Sequence, residues 1–252
     1  MSEFVTGAQL EECVPVNGLI VAESLEDIEQ QALEMGRAGC RAIKLKCGSD
    51  SVAQDIERAR AIRGVFDGLL RLDANESWDI REMVAHGDTF AELSLQYIEQ
   101  PFPITDIAAA KDTVAALPVP IAIDESATSA AVIDELLEKL AVQYVILKPA
   151  RLGGPDRVWE AIQKIALRGA RGIVTNSLET SVGLTCAFEC ARMLGVVGPI
   201  PCCGLGTARF FDTFPTTLPK SDNFSMQYQG GGGLGVMLDD VILNSLRKDW
   251  GN

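Results

Sequence analysis

The chain has 252 residues, 47% apolar and 23% charged, with a mean hydropathy of +0.14, which supplies a sizeable core and excludes a disordered chain. Lys and Arg number 22 against 35 Asp and Glu, and the resulting net charge of −13 argues against a nucleic-acid groove or a polybasic membrane contact. An anionic small molecule stays open as a partner, because a few lysines or a metal reverse the field inside one cleft.

The opening residues, MSEFVTGAQLEECVPVNGLIV, lack a basic region and place acidic residues ahead of the apolar ones, a poor secretory signal. Short apolar runs then alternate with stretches of helical period. Runs at 14–21, 41–47, 69–75, 95–100, 120–124, 143–149, 172–177 and 200–206 read as strands. Stretches at 24–39, 50–66, 79–93, 105–117, 129–141, 155–170 and 181–195 carry apolar residues at i, i+3 and i+4 and read as helices. Several stop at a glycine, as at Gly39, Gly169 and Gly195. Strands and helices in strict alternation predict a parallel sheet. Residues 1–13 are expected to be a polar lead-in and 14–209 the main domain. Residues 210–252 are expected to form a C-terminal segment packing on it, and the glycine run 230–233 reads as a turn without a chemical role.

No run of about 18 apolar residues occurs, so no membrane span is expected. Seven cysteines include no CxxC pair, which points to reduced thiols and a cytoplasmic location. Cys186 and Cys190, four apart on a predicted helix, are expected on its buried face. With His86 the one histidine, a Cys/His zinc site and a Ser-His-Asp triad are excluded.

An ionisable residue stands near the end of each strand from the second to the sixth: Lys46, Asp73, Glu99, Asp124 and Lys148, at successive intervals of 27, 26, 25 and 24 residues. An evenly repeated βα unit with a polar group at every strand's C-terminal end predicts a (β/α)8 barrel of TIM type, with its active groups on one face. An open doubly wound sheet would more often carry a glycine-rich phosphate loop after the first strand, where this chain has VAESLED. Residues two apart on a strand share a face, so Lys44 joins Lys46, and Arg71 and Asn75 join Asp73. Buried charges are costly unless paired or metal-bound. Any one of these residues alone is explained as a strand end in water; the whole set at near-constant spacing is not.

Asp73, Glu99 and Asp124 on adjacent strands make an all-oxygen site suited to Mg²⁺ or Mn²⁺. Lys46 and Lys148 flank them, and a nearby cation disfavours an ammonium, moving a lysine toward use as a base. A carboxylate-bound metal beside such a lysine is equipment for removing a proton α to a carboxylate.

The segments KLKCG (44–48), LRLDAN (70–75), YIEQPF (97–102), IAIDES (121–126) and ILKPARLGG (146–154) together resemble the enolase superfamily, in its muconate lactonizing enzyme subgroup. The resemblance implies metal ligands at Asp73, Glu99 and Asp124, with Mg²⁺ as cofactor, and acid/base lysines at Lys46 and Lys148. Lys44 would hold the substrate carboxylate or tune Lys46. VPVNGLI (14–20), Arg71, VTNSLETSVGL (174–184), CGLGT (203–207) and GGLGV (232–236) are further similar to the o-succinylbenzoate synthases. That resemblance implies a lyase of menaquinone biosynthesis, dehydrating 2-succinyl-6-hydroxy-2,4-cyclohexadiene-1-carboxylate. Arg71, Thr175 and Gly204 would contact substrate, although Arg71 is equally suited to pairing with a ligand carboxylate.

Three alternatives accompany this expectation. N-succinylamino acid racemases use the same two lysines. Dipeptide epimerases do too, but typically carry an Asp-x-Asp on the eighth strand that CGLGT lacks. A truncated barrel acting only as a binding protein is the third. Members of the family normally carry an N-terminal capping domain over the barrel mouth, whereas the first predicted strand here begins near residue 14. A barrel without that domain is therefore expected. Its uncovered apolar rim would invite a second copy or a separate capping partner.

Overall fold

The computed structural model describes residues 1–22, 24–210 and 220–228 and the single positions 230, 234, 240 and 244. The lead-in carries α1 (Ser2–Thr6) and β1 (Cys13–Pro15). There follow β2 (Gly18–Ile20), α2 (Leu25–Arg37), β3 (Ala42–Lys46), α3 (Val52–Arg63), β4 (Leu69–Asp73), α4 (Ile80–Ala85), α5 (Gly87–Glu92) and β5 (Leu95–Glu99). Next come α6 (Ile107–Ala116), β6 (Ile121–Ile123), α7 (Ala130–Lys139), β7 (Tyr144–Leu147), α8 (Pro149–Leu152), α9 (Pro155–Leu167), β8 (Arg171–Val174) and α10 (Ser181–Met193). Strands β9 (Lys220–Asp222) and β10 (Ser225–Gln227) are the last of the described strands.

Short polar side chains set the helix starts. Ser24 caps α2, Ser51 forms a reciprocal capping box with Gln54 on α3, and Asp79, Asp106 and Ser129 accept from the first turns of α4, α6 and α7. Strands β2 to β8 pair in chain order, every pair parallel. Their alternation sorts the core. Ile43, Leu45, Leu70, Leu72, Ile98, Val145 and Leu147 join one large buried cluster with helix residues such as Ile28, Ile56, Ile62, Ile133, Ile162 and Leu184. The opposite strand face lines the barrel, where Tyr97, Ala122, Ile146 and Ile173 form a separate buried cluster. The rings of Tyr97 and Tyr144 lie 4.9 Å apart there.

Four departures from the sequence expectation have local causes. The predicted first strand divides: β1 pairs antiparallel with β10, which pairs with β9, and only β2 enters the barrel. Pro15 lacks an N–H and cannot donate to a ladder. The predicted eighth strand, 200–206, is reduced to two single bridges, Cys203 to Val16 and Gly204 to Thr175. Pro199 and Pro201 remove donors on its approach. Those bridges nevertheless close the cylinder. Cys203 N–H donates to Pro15 O and accepts Asn17 N–H on its carbonyl, while Gly204 N–H donates to Val174 O and its carbonyl accepts Asn176 N–H.

The predicted helix 79–93 breaks at His86 into α4 and α5. His86, with φ −97° and ψ 11°, ends the first piece, and Gly87, a poor helix former, starts the second. Lastly, the polar lead-in is fastened to the barrel by buried contacts. Ser2 is fully buried and donates to Glu189 Oε2, and Arg192 pairs with Glu189 at 3.0 Å and donates to Glu11 O at 2.7 Å, fastening α1 and its tail to α10. The GGLGV motif and the glycine run, apart from Gly230 and Leu234, lie outside the described residues.

Candidate active site at the barrel mouth

The register brings the strand-end charges side by side. Lys46 lies opposite Asp73, and Asp73 opposite Glu99, with Lys44 opposite Arg71 one layer deeper. Lys44 Nζ sits 2.7 Å from Asp73 Oδ2 and 2.8 Å from Glu99 Oε1. Lys46 Nζ sits 2.8 Å from the same Asp73 oxygen and 2.5 Å from Asn75 Oδ1. On the other side Lys148 Nζ is 2.5 Å from Asp124 Oδ2, and Arg151 Nη1 is 2.8 Å from Asp124 Oδ1 and also donates to its carbonyl oxygen. Strand β7 stands four places round the ring from β3, so Lys46 and Lys148 approach the mouth from opposite walls. The Lys46 side chain is 37% exposed, against 14% for Lys44 and 17% for Lys148, which makes it the most open of the three amines.

The charges tune one another. Burial lifts the Glu99 carboxyl to about 8; Lys44 opposes the rise, and Asp73 and Asp124 add to it. Burial also works against the Asp73 anion, but Lys44 and Lys46 outweigh it and hold this carboxyl below its ordinary range. For Lys44 burial favours the neutral amine, yet Glu99 and Asp73 together keep its pKa above the usual lysine value.

Among the described residues no three Asp, Glu, His or Cys side chains form a ready-made metal cluster. Each of Asp73, Glu99 and Asp124 faces a cationic side chain instead. The residues still fit a hard divalent cation. All three donors are carboxylates, Glu99 feels the charge of both others, and Glu99 Oε2 is buried without a hydrogen-bond partner. A cation there would satisfy that oxygen.

The remaining expected contacts sort differently. Arg71 is fully buried below the charged layer, not at the mouth. It donates to Gln96 Oε1 at 2.7 Å, Cys202 O at 2.8 Å and Asn17 Oδ1 at 3.2 Å, and its guanidinium lies 5.1 Å from the Tyr97 ring centroid. It pairs with no ligand carboxylate among these contacts and ties β4 to β5 and to both sides of the closing seam. Thr175 and Gly204 do meet, directly across a bridge, and Thr175 Oγ1 is buried and unpartnered. The Gly204 N–H, however, is already donated to Val174 O.

Several residues that position the site went unassigned by sequence reasoning. Gln100 uses its whole amide: Oε1 accepts from Asp124 N–H at 2.9 Å and Ser126 N–H at 3.3 Å, and Nε2 donates to Ser126 Oγ and Phe102 O. Asp55 on α3 accepts from Gly48 N–H, Trp78 Nε1 and Arg58, and Arg58 reaches Ala22 O at 2.8 Å. One buried carboxylate thus ties the loops after β2, β3 and β4, and Trp78 serves packing. Arg151 and Gln100 lie inside motifs visible in the sequence, but the Asp124 groups they hold are 27 and 24 residues away.

Comparisons with known proteins agree with this architecture. Residues 27–242 match the family model described as enolase C-terminal domain-like. Among characterised relatives, the o-succinylbenzoate synthase of Thermobifida fusca is 32% identical over 208 residues, covering 80% of this chain and 62% of the relative. That of Mycolicibacterium smegmatis is 30% identical over 206 residues, covering 81% and 61%. Among solved structures, the N-succinyl Arg/Lys racemase from Bacillus cereus superposes with a TM-score of 0.88 at 22% identity, covering 97% of this chain and 66% of that one. The muconate lactonizing enzyme from Pseudomonas putida gives 0.86 at 22%, covering 97% and 68%. The chain thus spans about three-fifths of the length of these synthases. It belongs to the enolase C-terminal domain-like family.

Proposed function

We propose that this barrel carries the active site of a divalent-metal-dependent lyase of the o-succinylbenzoate synthase type. The observation that supports it most is the placement of Lys46 and Lys148 on opposite walls with Asp73, Glu99 and Asp124 between them. The synthases that the chain resembles over about 80% of its length lend the substrate class.

In the proposed reaction Lys46 Nζ takes the proton from the ring carbon α to the carboxylate of 2-succinyl-6-hydroxy-2,4-cyclohexadiene-1-carboxylate. The freed electron pair becomes the new ring double bond as the neighbouring C–O bond breaks. Lys46 returns its proton to the departing hydroxyl on the same face, so water leaves and o-succinylbenzoate remains. Lys148, as an ammonium, faces the opposite side and stabilises negative charge developing on the substrate. Lys44, buried and held cationic by Glu99 and Asp73, offers a second positive charge at the floor. Asp73, Glu99 and Asp124 would hold Mg²⁺ or Mn²⁺, which supplies positive charge where the substrate carboxylate becomes electron-rich.

Loss of the diene's ultraviolet absorbance with Mg²⁺, and its arrest by EDTA, tests the proposal. No turnover by the chain, alone or supplied with the remaining segment of a synthase relative, would overturn it. The opposed lysines also equip the site for racemising N-succinylamino acids, one amine to each face. Racemisation without diene loss would establish that second activity in place of the first. Cation binding with neither activity would leave a binding protein.

The proposal extends to setting and partners. Seven free cysteines and a place in menaquinone synthesis favour the cytoplasm, and no helix of the described residues is long and apolar enough to cross a membrane. The exposed side chains of Val21, Leu25, Leu178 and Phe210 follow the ends of β2, β8 and the closing seam. They favour a cover over the mouth, supplied by further polypeptide or a second copy.

A further inference from the structure

Asn75 is two residues beyond β4 and has φ +44°, followed by Glu76 at φ +64°. Two successive left-handed residues bend the chain sharply back, and asparagine is among the few non-glycine types that tolerate the first of them. The turn is pinned from outside: Glu76 N–H donates to Gln100 O at 2.7 Å and Trp78 N–H to Pro101 O at 3.0 Å. The Asn75 side chain is thereby carried to the mouth, where Oδ1 accepts from Lys46 Nζ at 2.5 Å and Nδ2 donates to Glu125 Oε1 at 3.0 Å.

The two partners dictate which way the amide points. An ammonium can meet only the amide oxygen, and a carboxylate only the amide nitrogen. Glu125 therefore acts as an orientation lock, since an amide turned the other way would set its N–H groups against the ammonium and its carbonyl oxygen against the carboxylate. On the opposite wall Lys148 is held by a carboxylate among the described residues: it meets Asp124, whose other oxygen is held by Arg151. The two amines are therefore held by different devices.

Resting on the two-lysine reading above, we propose that Asn75, oriented by Glu125, is the positioning residue for Lys46 and serves proton transfer on that face of the substrate alone. A base displaced by an ångström loses much of its rate, whereas Lys148 is anchored elsewhere.

Asparagine to glycine is the clean substitution, because glycine adopts the left-handed turn without cost and deletes only the amide. The test follows exchange of the α-proton for deuterium in a panel of separate N-succinyl-D- and N-succinyl-L-amino acids. Asn75→Gly is expected to slow exchange of the enantiomer facing Lys46 by about tenfold or more and the other by less than about twofold. Glu125→Ala, which leaves the turn intact, is expected to show the same one-sided loss. Crystals of Asn75→Gly are expected to show the Lys46 amine spread over several rotamers. Equal slowing of both enantiomers, or no slowing, with normal wild-type exchange would overturn this inference alone. Wild-type protein that exchanges neither enantiomer would overturn this inference, and the two-lysine reading falls with it only if diene loss is absent as well.

Discussion

Lys46 Nζ and Asp73 Oδ2 stand 2.8 Å apart at the ends of neighbouring strands, a contact set by the β3–β4 register that pairs these two residues. More than a third of the Lys46 side chain is exposed, so solvent screens the pair to about 0–1 kcal/mol. Lys46→Ala is therefore expected to move Tm by less than about 4 °C. The same variant should lose at least about a hundredfold in proton exchange from its face of the substrate. Calorimetry beside the exchange assay checks both; a large fall in Tm with exchange intact would make Lys46 a structural residue.

Mg²⁺ binding at the three carboxylates would link to folding. Wild-type Tm is expected to rise with Mg²⁺, by the equivalent of about 2.7 kcal/mol when the ion exceeds its Kd a hundredfold. Glu99→Gln should lose most of that rise, because it removes the charge on the ligand whose Oε2 has no protein partner. Indifference of wild-type Tm to millimolar Mg²⁺ and Mn²⁺ alike would sink the metal assignment.

Arg71 predicts a different phenotype from the amines above it. Replacing it by Met strips donors from Gln96, Asn17 and Cys202 O inside the barrel. A loss on the order of 3 kcal/mol is expected in urea unfolding. Unchanged stability with a raised KM would return Arg71 to the substrate.

The closing seam depends on a missing side chain. A Cβ on Gly204 would lie 2.7 Å from Thr175 Cγ2 and 3.1 Å from Thr175 Cβ. Gly204→Ala should cost about 1–3 kcal/mol, and adding Thr175→Ser, which removes that methyl, should recover part of it. A double variant no better than Gly204→Ala would show that the strain lies elsewhere.

Cys203 reports on the same seam through pH. Burial pushes its thiol from 9.0 up to about 12. A folded pKa raised in this way contributes stability that is complete below pH 9 and is lost as pH climbs toward 12. At pH 8 native alkylation should label exposed Cys13 and spare Cys203 until the protein unfolds. Early labelling of Cys203, read by mass spectrometry, would mean that the cylinder opens at this edge.

Much of the fold was legible because period and spacing are local properties. Apolar alternation located β3 to β8, and the even interval from Lys46 to Lys148 pointed to a barrel. Where single residues override the pattern, the expectation slipped. Pro15 split the first strand, Pro199 and Pro201 thinned the eighth, and a helix that periodicity had joined breaks at His86. Asn75 and Gln100 lay inside quoted motifs, yet nothing in the motif says that one meets Lys46 and the other holds Asp124.

The amino-acid sequence by itself determined the repeat, the order of charged strand ends and hence which residues could share one rim. Each follows from the two-residue period of a strand and the length of a βα unit. Only the tertiary structure decided the partners. Lys44 and Lys46 converge on one oxygen of Asp73, Arg71 bonds to the closing seam from the layer beneath, and the Gly204 amide is already bonded within the seam. Side-chain reach and hydrogen-bond competition are settled across strands, where register and barrel closure set distances that no single segment encodes.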